Sequence, residues 1–587
     1  MKTAGPANPP LPNHALARWI TAATRGALIL GAFLVAPSPS KGEDRLKQLQ
    51  AEAIAHKADR VARAYHFGSQ GAGDVFSNHT SHSNRLIPIY TFGRKVDLGA
   101  VTGSNSGYRD PARVRSYYGT LPERTVNPSA DYADQSDLYV VQRDAVARGV
   151  KHLFIVWFDG MDWDTTRAAA IARSGQLYTA GKGSGLFFQD YTAENSAQYG
   201  SYVTSPTHDK NTPDYDHQTV TIPANSTGGG YDAAIAGPNP WTLGPLGPKA
   251  PGYLKGQSGS DQDKRGVLDV GGVIHAYTDS APSAGEFATG FKAYNNGINV
   301  TDQGRFVPTL FQQLQGRGWR VGTVTSVPFD HASPAAMYAH NVHRDDYQDL
   351  GREMLGLTSI VQQSGKGLAL PGLDVVMGTG FGQTGRADDM SKQQGSNAVA
   401  GNAHITDADK AAINIQNGGR YVVAETAEGV DGASALRAAA AQAASGNHRL
   451  FAFYGKKGFN HLPYRTADGG FDPAAGITGK TEVYSAADLA ETPTLVDMTD
   501  AALTVLAAQP GQPFALFVEA GDVDFALHAN DLDSAVGAVL SGDAAVRAIV
   551  AWVEKHSNWD DSALIVTADH GHYLVLDDPK ALAGTAR

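Results

Sequence analysis

The sequence predicts an α/β fold: a three-layer sandwich with a mainly parallel central sheet flanked by helices, plus loop-rich insertions. Three observations predict it. Short apolar, β-branched runs recur along the chain, at Leu153–Phe158, Trp319–Val324, Arg449–Tyr454, Phe514–Val518 and Ala563–Val566. The later runs each follow a stretch of helical composition, Val307–Leu314, Ala433–Ala444, Thr494–Leu506 and Ala544–Glu554. Helix and strand therefore alternate as they do around a parallel sheet. Three runs also lead into carboxylate or imidazole groups: Asp159; Glu519, Asp524 and His528; and Asp569 with His570. Groups at the carboxyl ends of parallel strands sit where open α/β sheets bind ligands.

In chain order, Arg18 and Arg25 flank the approach to an apolar run, Gly26–Ala36, that ends at Pro37-Ser-Pro-Ser40. This run is too short to span a bilayer and suits the core of an export signal, so residues 1–40 read as a signal peptide and N-terminal tail. The expectation is an exported protein, periplasmic or extracellular. No later run reads as long and apolar enough to cross a membrane, so no transmembrane anchor is expected. Residues 41–150 read as an N-terminal helix and an irregular elaboration. Leu46, Leu49, Ile54, Val61 and Tyr65 recur at helical spacing across Glu43–Tyr65, and residues 67–135 are rich in Gly, Ser, Asn and Tyr. The main domain, 151–587, opens on the strand at His152, turns at Gly160-Met-Asp-Trp163 and enters a helix at Asp164. It carries insertions at about 200–265 and 365–410, loops of a length that is functional or disordered in compact domains.

Composition narrows the chemistry. Hydrophobic residues make up 42% and charged residues 18% of the 587, ample for a core. A net charge of −11 argues against a nucleic-acid-binding surface. There is no cysteine, which excludes disulfides, thiolate metal sites and cysteine nucleophiles. Any metal must be held by oxygen and nitrogen, a ligand set that suits zinc, magnesium or manganese.

Ser280 follows Asp279 and precedes Ala281-Pro282, and proline suits a helix's first turn. The serine therefore reads as an N-cap. On local sequence, plain capping is the favoured explanation, over a helix end that faces a phosphate. A serine that faces several divalent cations implies phosphoryl transfer through a covalent intermediate.

Six blocks in chain order resemble the alkaline phosphatase family. They are Phe158-Asp-Gly-Met161; Thr278-Asp-Ser-Ala-Pro-Ser-Ala284; Ala288-Thr-Gly-Phe-Lys292 with Tyr294-Asn-Asn-Gly297; His331-Ala-Ser-Pro-Ala-Ala336 through Arg344; Val518-Glu-Ala-Gly-Asp-Val-Asp524 with His528-Ala-Asn530; and Thr567-Ala-Asp-His570 with His572. The resemblance implies a phosphomonoesterase with Ser280 as nucleophile and Arg344 as phosphate clamp, oriented by Asp279. Asp159, Asp569 and His570 would hold one zinc ion beside Ser280. Asp524 and His528, one helical turn apart, would hold a second. Asp159, Glu519 and Ser333 would hold a third cation, magnesium or zinc. The resemblance also implies a small-molecule phosphate ester as substrate and leaves a homodimer possible.

The pattern departs from the family in three places. The second zinc takes a further histidine, in a His-Thr-Gly-like segment downstream of the Asp-His pair, and no such segment precedes Arg587. His572 is the nearest substitute, with His208 and His217 as further options. His331 stands where other members carry aspartate or histidine, which favours zinc or a loosely held ion over dedicated magnesium. Phe525 replaces a basic residue found near the phosphate in some relatives. Two rival readings follow: a phosphodiesterase of the same superfamily, and a non-catalytic extracellular metal or phosphate binder.

Overall fold

Helix and strand do alternate around one sheet, and that sheet draws on more of the chain than the apolar runs predict. The computed structural model describes residues 86–232, 275–367, 369–383, 395–475, 480–529, 531–572 and 579–584, with short pieces at 45–49, 65–66, 69–70, 75–76 and 574–576. Its central ten-stranded sheet comprises β1 (Ile87–Phe92), β2 (Ala133–Asp134), β3 (His152–Phe158), β4 (Gln198–Val203), β5 (Arg320–Pro328), β6 (Val375–Thr379), β7 (Tyr421–Glu425), β8 (Arg449–Phe453), β9 (Phe514–Ala520) and β10 (Ser562–Thr567). Across the sheet the order is β7-β8-β6-β5-β9-β3-β10-β1-β4-β2. Every neighbouring pair from β7 to β10 is parallel. Strand β1 then runs antiparallel to β10 and β4, and β2 pairs parallel with β4.

Helices cover both faces. They include α1 (Gln135–Ala147), α2 (Trp163–Ser174), α3 (Ser280–Thr289), α4 (Ala332–Ala336), α5 (Gly432–Gly446), α6 (Leu495–Leu506), α7 (Asp522–His528) and α8 (Leu532–His556). Adjacent strand residues point to opposite faces. Accordingly Trp157 packs edge-on against Phe287 of α3, while Phe158 lies over Gly542 of α8. A Cβ on Gly542 would overlap the Phe158 ring, so α8 seats against β3 only through a glycine. The register places Thr325, Glu519, Trp157 and Thr567 in one row across β5, β9, β3 and β10. The residues just beyond that row therefore emerge together at one edge.

Several expectations need correction. The stretch over 67–135, read as irregular, supplies β1 and β2, and β1 lies between β10 and β4. The insertion read at 365–410 contains β6, an interior strand, and the one read at 200–265 begins on β4. The final long helix spans Leu532–His556, well beyond the expected Ala544–Glu554. It is long and apolar enough to cross a membrane by length and composition, contrary to expectation. Here it packs against β3, β9, α2, α6 and α7, as a core helix does. Within Glu43–Tyr65, residues 45–49 are helical with Leu46 and Leu49 buried, but Tyr65 pairs in a short strand with Leu576. The signal segment lies outside the described residues.

The helix that carries Ser280 is fastened by a buried ion cluster. Lys292, wholly buried, donates to Glu286 of α3 at 3.0 Å and to the Ser205 carbonyl at 2.8 Å, and pairs with Asp134 at 3.1 Å. Its ammonium also lies 4.7 Å from the centre of the Tyr118 ring. Removing one partner of such a cluster strands the others without solvent. Lys292→Met is therefore expected to lower unfolding stability by about 3–5 kcal/mol, measured as a reduced denaturant midpoint with an unchanged slope.

Candidate active site and metal centre

The site assembles where β3, β9 and β10 end. Asp159 follows β3 and is wholly buried. The chain then turns through Gly160 at φ +75°, where a Cβ would come within 2.9 Å of the His572 ring. Only glycine meets both demands. The Gly160 N–H donates to Asp569 Oδ1 at 2.8 Å, and the His570 N–H does the same at 2.8 Å. These two bonds lock the Asp569 carboxylate and leave its second oxygen facing the site.

Ser280 sits against this group. Its Oγ lies 3.3 Å from Asp159 Oδ1, as donor, and 3.3 Å from His570 Nε2. The N-cap of α3 is Asp279, not Ser280: Asp279 accepts from the Ala281 N–H at 2.7 Å, and Ser280 is the first helical residue. This shift frees the serine hydroxyl from capping. His570 Nε2 approaches Asp159 Oδ1 at 3.4 Å and Asp569 Oδ2 at 3.5 Å. Ligand atoms of Asp159, Asp569 and His570 all lie within 4.8 Å of one another.

A second group lies beside the first. Asp524 and His528 occupy successive turns of α7, with His528 Nε2 3.2 Å from Asp524 Oδ1. His572 Nε2 reaches the same oxygen at 2.8 Å. Together Asp524, His528 and His572 form the second set of groups within 4.8 Å. His208 and His217 are not brought to it. His208 faces Asp302 and stacks on Tyr294, and the exposed His217 pairs with Asp214.

Glu519 ends the row on β9. Its Oε2 accepts from the Thr325 hydroxyl, and Ser333, on α4, adds a hydroxyl beside it. Thr325 was not legible as a site residue, because only the β5–β9 register sets it opposite Glu519.

Arg344 completes the arrangement. One guanidinium nitrogen donates to Asp279 Oδ1 at 3.4 Å and another to His331 Nε2 at 3.1 Å. Because a guanidinium only donates, His331 Nε2 must carry a lone pair, and the imidazole is neutral. Burial and then the Arg344 charge push His331 well below its ordinary pKa, in agreement. Arg344 thus occupies Nε2 of His331, while Nδ1 makes no well-formed hydrogen bond. Phe525 meets the His331 ring edge-on at 5.7 Å.

Electrostatically the site is loaded for positive charge. Burial, then the neighbouring Asp569 and Asp524, push the Asp159 carboxyl well above its ordinary range. Burial also lifts Glu519 to about 8, against the pull of the Thr325 hydroxyl. Burial raises Asp524 too, but the His528 and His572 imidazoles outweigh it and hold that carboxyl well below its usual value. Among the described residues, Asp159 Oδ2, Asp569 Oδ2, Glu519 Oε1 and the Ser333 hydroxyl make no well-formed hydrogen bond. Buried carboxylate oxygens left without donors are costly unless a cation meets them. Oxygen and imidazole donors in this arrangement fit divalent zinc and magnesium.

The alkaline phosphatase family model matches residues 268–434 and 471–582. The chain is similar to the alkaline phosphatase of Escherichia coli strain K12, at 27% identity over 52% of this chain and 60% of that protein. It is 28% identical to alkaline phosphatase 4 of Bacillus subtilis strain 168, over 50% of this chain and 49% of that one. It is 29% identical to the streptomycin-6-phosphate phosphatase of Streptomyces griseus, over 50% of this chain and 61% of that one. The similarity thus spans about half to three-fifths of each relative's length. The chain is thus similar to the alkaline phosphatase family over residues 268–434 and 471–582, the stretches that carry most of the site.

Proposed function

We propose that the protein hydrolyses phosphate monoesters through a phosphoserine intermediate. One observation carries the reading: the Ser280 hydroxyl lies 3.3 Å from both Asp159 and His570, beside an arginine held by the residue preceding that serine. Asp159, Asp569 and His570 would hold one zinc ion, and Asp524, His528 and His572 a second. Asp159, Glu519 and Ser333 would hold magnesium or zinc. Such cations lower the pKa of hydroxyl and water ligands and neutralise developing oxyanion charge.

The chain's own part follows from its geometry. Arg344 offers a planar fork to two phosphate oxygens, and Asp279 and His331 fix that fork before substrate arrives. The positive end of α3 faces the same anion. Ser280 Oγ forms the new bond to phosphorus while the ester oxygen leaves with its electron pair, and the hydroxyl proton passes towards the facing acceptors. Water then cleaves the phosphoserine and returns the serine. Phe525 leaves Arg344 as the side-chain cation of this grip.

We place this activity outside the cytoplasm, on the strength of the Gly26–Ala36 run behind Arg18 and Arg25. Parallel assays of p-nitrophenyl phosphate and its bis-ester, before and after chelation, test the proposal. The monoester is expected to turn over at least about tenfold faster than the diester. Chelation is expected to abolish turnover, with recovery on adding zinc and magnesium. Faster diester turnover overturns monoester specificity, and activity that survives complete metal removal overturns the metal centre.

A further inference from the structure

Helix α7 carries Asp524 and His528, yet it is only seven residues long. Helices this short have little stability of their own, so their placement depends on what anchors them. One anchor comes from residues 435–470, which lie between the stretches that the family model matches. There the Leu462 N–H donates to the Ser326 carbonyl at 2.7 Å, while the Ser326 hydroxyl accepts from the Gly521 N–H at 3.0 Å. A segment outside the matched stretches is thereby tied to the end of β5 and the entrance of α7.

His461 is the charged part of this tie, and its side chain is wholly buried. Its Nε2 lies 2.6 Å from Glu482 Oε2. Its Nδ1 lies 2.9 Å from the Leu462 carbonyl and 3.5 Å from Asp522 Oδ1. Burial opposes a charge on this ring, but the Glu482 carboxylate and then Asp522 push the imidazole up to about 9, so it is a cation at neutral pH. The Tyr484 hydroxyl donates to Glu482 at 3.0 Å and holds that carboxylate in place. Asp522, the first residue of α7, is itself buried.

We propose that His461 is a positioning residue: a buried imidazolium, steadied by Glu482, that pins Asp522 and so sets the turn presenting Asp524 and His528 to a divalent cation. The inference rests on the reading of the site given above. Nothing in it requires His461 to touch substrate. Glutamine in its place keeps hydrogen-bonding capacity but not charge, so Asp522 loses its counter-ion and α7 its fixed start.

The test is zinc affinity of the full-length protein, measured by competition with a chromogenic chelator, with helix content followed by circular dichroism. His461→Gln is expected to keep its secondary structure and to bind zinc about 10–100-fold more weakly at one site. Combining it with Asp522→Asn should lose no more than the worse single variant, because both act through one contact. Zinc affinity within twofold of the parent overturns the proposal, and so do additive losses in the double variant. Should His461→Gln fail to fold, Glu482→Gln replaces it, with a smaller loss in the same direction expected and no loss overturning the proposal. A parent protein that binds no zinc overturns the reading of the site and this inference with it, whereas an unaffected variant overturns the inference alone.

Discussion

Ser280→Ala is expected to lower phosphate-ester turnover by about three orders of magnitude or more while leaving the bound-metal content unchanged. The reason is geometric. Ser280 Oγ lies 3.3 Å from both Asp159 and His570, and alanine removes it without disturbing the backbone of α3. Asp279 caps that helix, so losing the serine side chain costs no cap. Arg344 also keeps its anchors, so inorganic phosphate should still bind as a competitive inhibitor of any residual activity. Steady-state kinetics, elemental analysis and a denaturation curve on one preparation check all three statements. Full turnover in a folded, metal-loaded variant would remove the serine from the mechanism.

Asp159→Asn is expected to have an effect of similar size but of a different kind. Asp159 faces Ser280, His570 and the Asp569 carboxylate, and it belongs to both the first and third proposed cation sites. Replacing it should weaken metal binding by at least about 100-fold and take activity with it. The same substitution should act oppositely on the metal-free protein. Its carboxyl is raised by burial and by like charges, so at neutral pH the charged form opposes folding. For a carboxyl raised in the folded state, that penalty fades as pH falls through the raised pKa. Asparagine relieves it at every pH, so metal-free Asp159→Asn should unfold about 1–3 kcal/mol harder than the metal-free parent at neutral pH. With metal present the order should invert. Melting curves with and without added zinc settle the sign.

The strands that carry the site were legible because their signal is local. Leu153–Phe158, Phe514–Val518 and Ala563–Val566 are buried on both faces, so they read as unbroken apolar runs ending in polar groups. Strand β1 was missed because Pro88 sits inside it, and proline argues against an interior strand. Here the Pro88 carbonyl accepts from Thr567. Strand β6 is short and lies in a glycine-rich stretch, so its apolar signal never exceeds that of a loop. The cap at α3 was misplaced by one residue, because Asp279 and Ser280 are both good caps and only coordinates show which carboxylate reaches the Ala281 N–H. The contact that Arg344 makes with His331 was not legible either. It joins segments in a way that no spacing encodes. The Lys292 and His461 clusters are also tertiary, since each joins partners whose sequence neighbourhoods look ordinary.

The bond from Gly160 to Asp569 joins residues 409 positions apart. The pairings of β10 with β3 and β1 join segments just as far apart, and loop-closure entropy sets such encounters late in folding. A nascent polypeptide that stops before β10 holds Asp159 but has no Asp569 or His570 to set beside it. On the proposed assignment, the set of Asp159, Asp569 and His570 would be complete only after residue 570 is made, which would make metal uptake at that set a reporter of late folding.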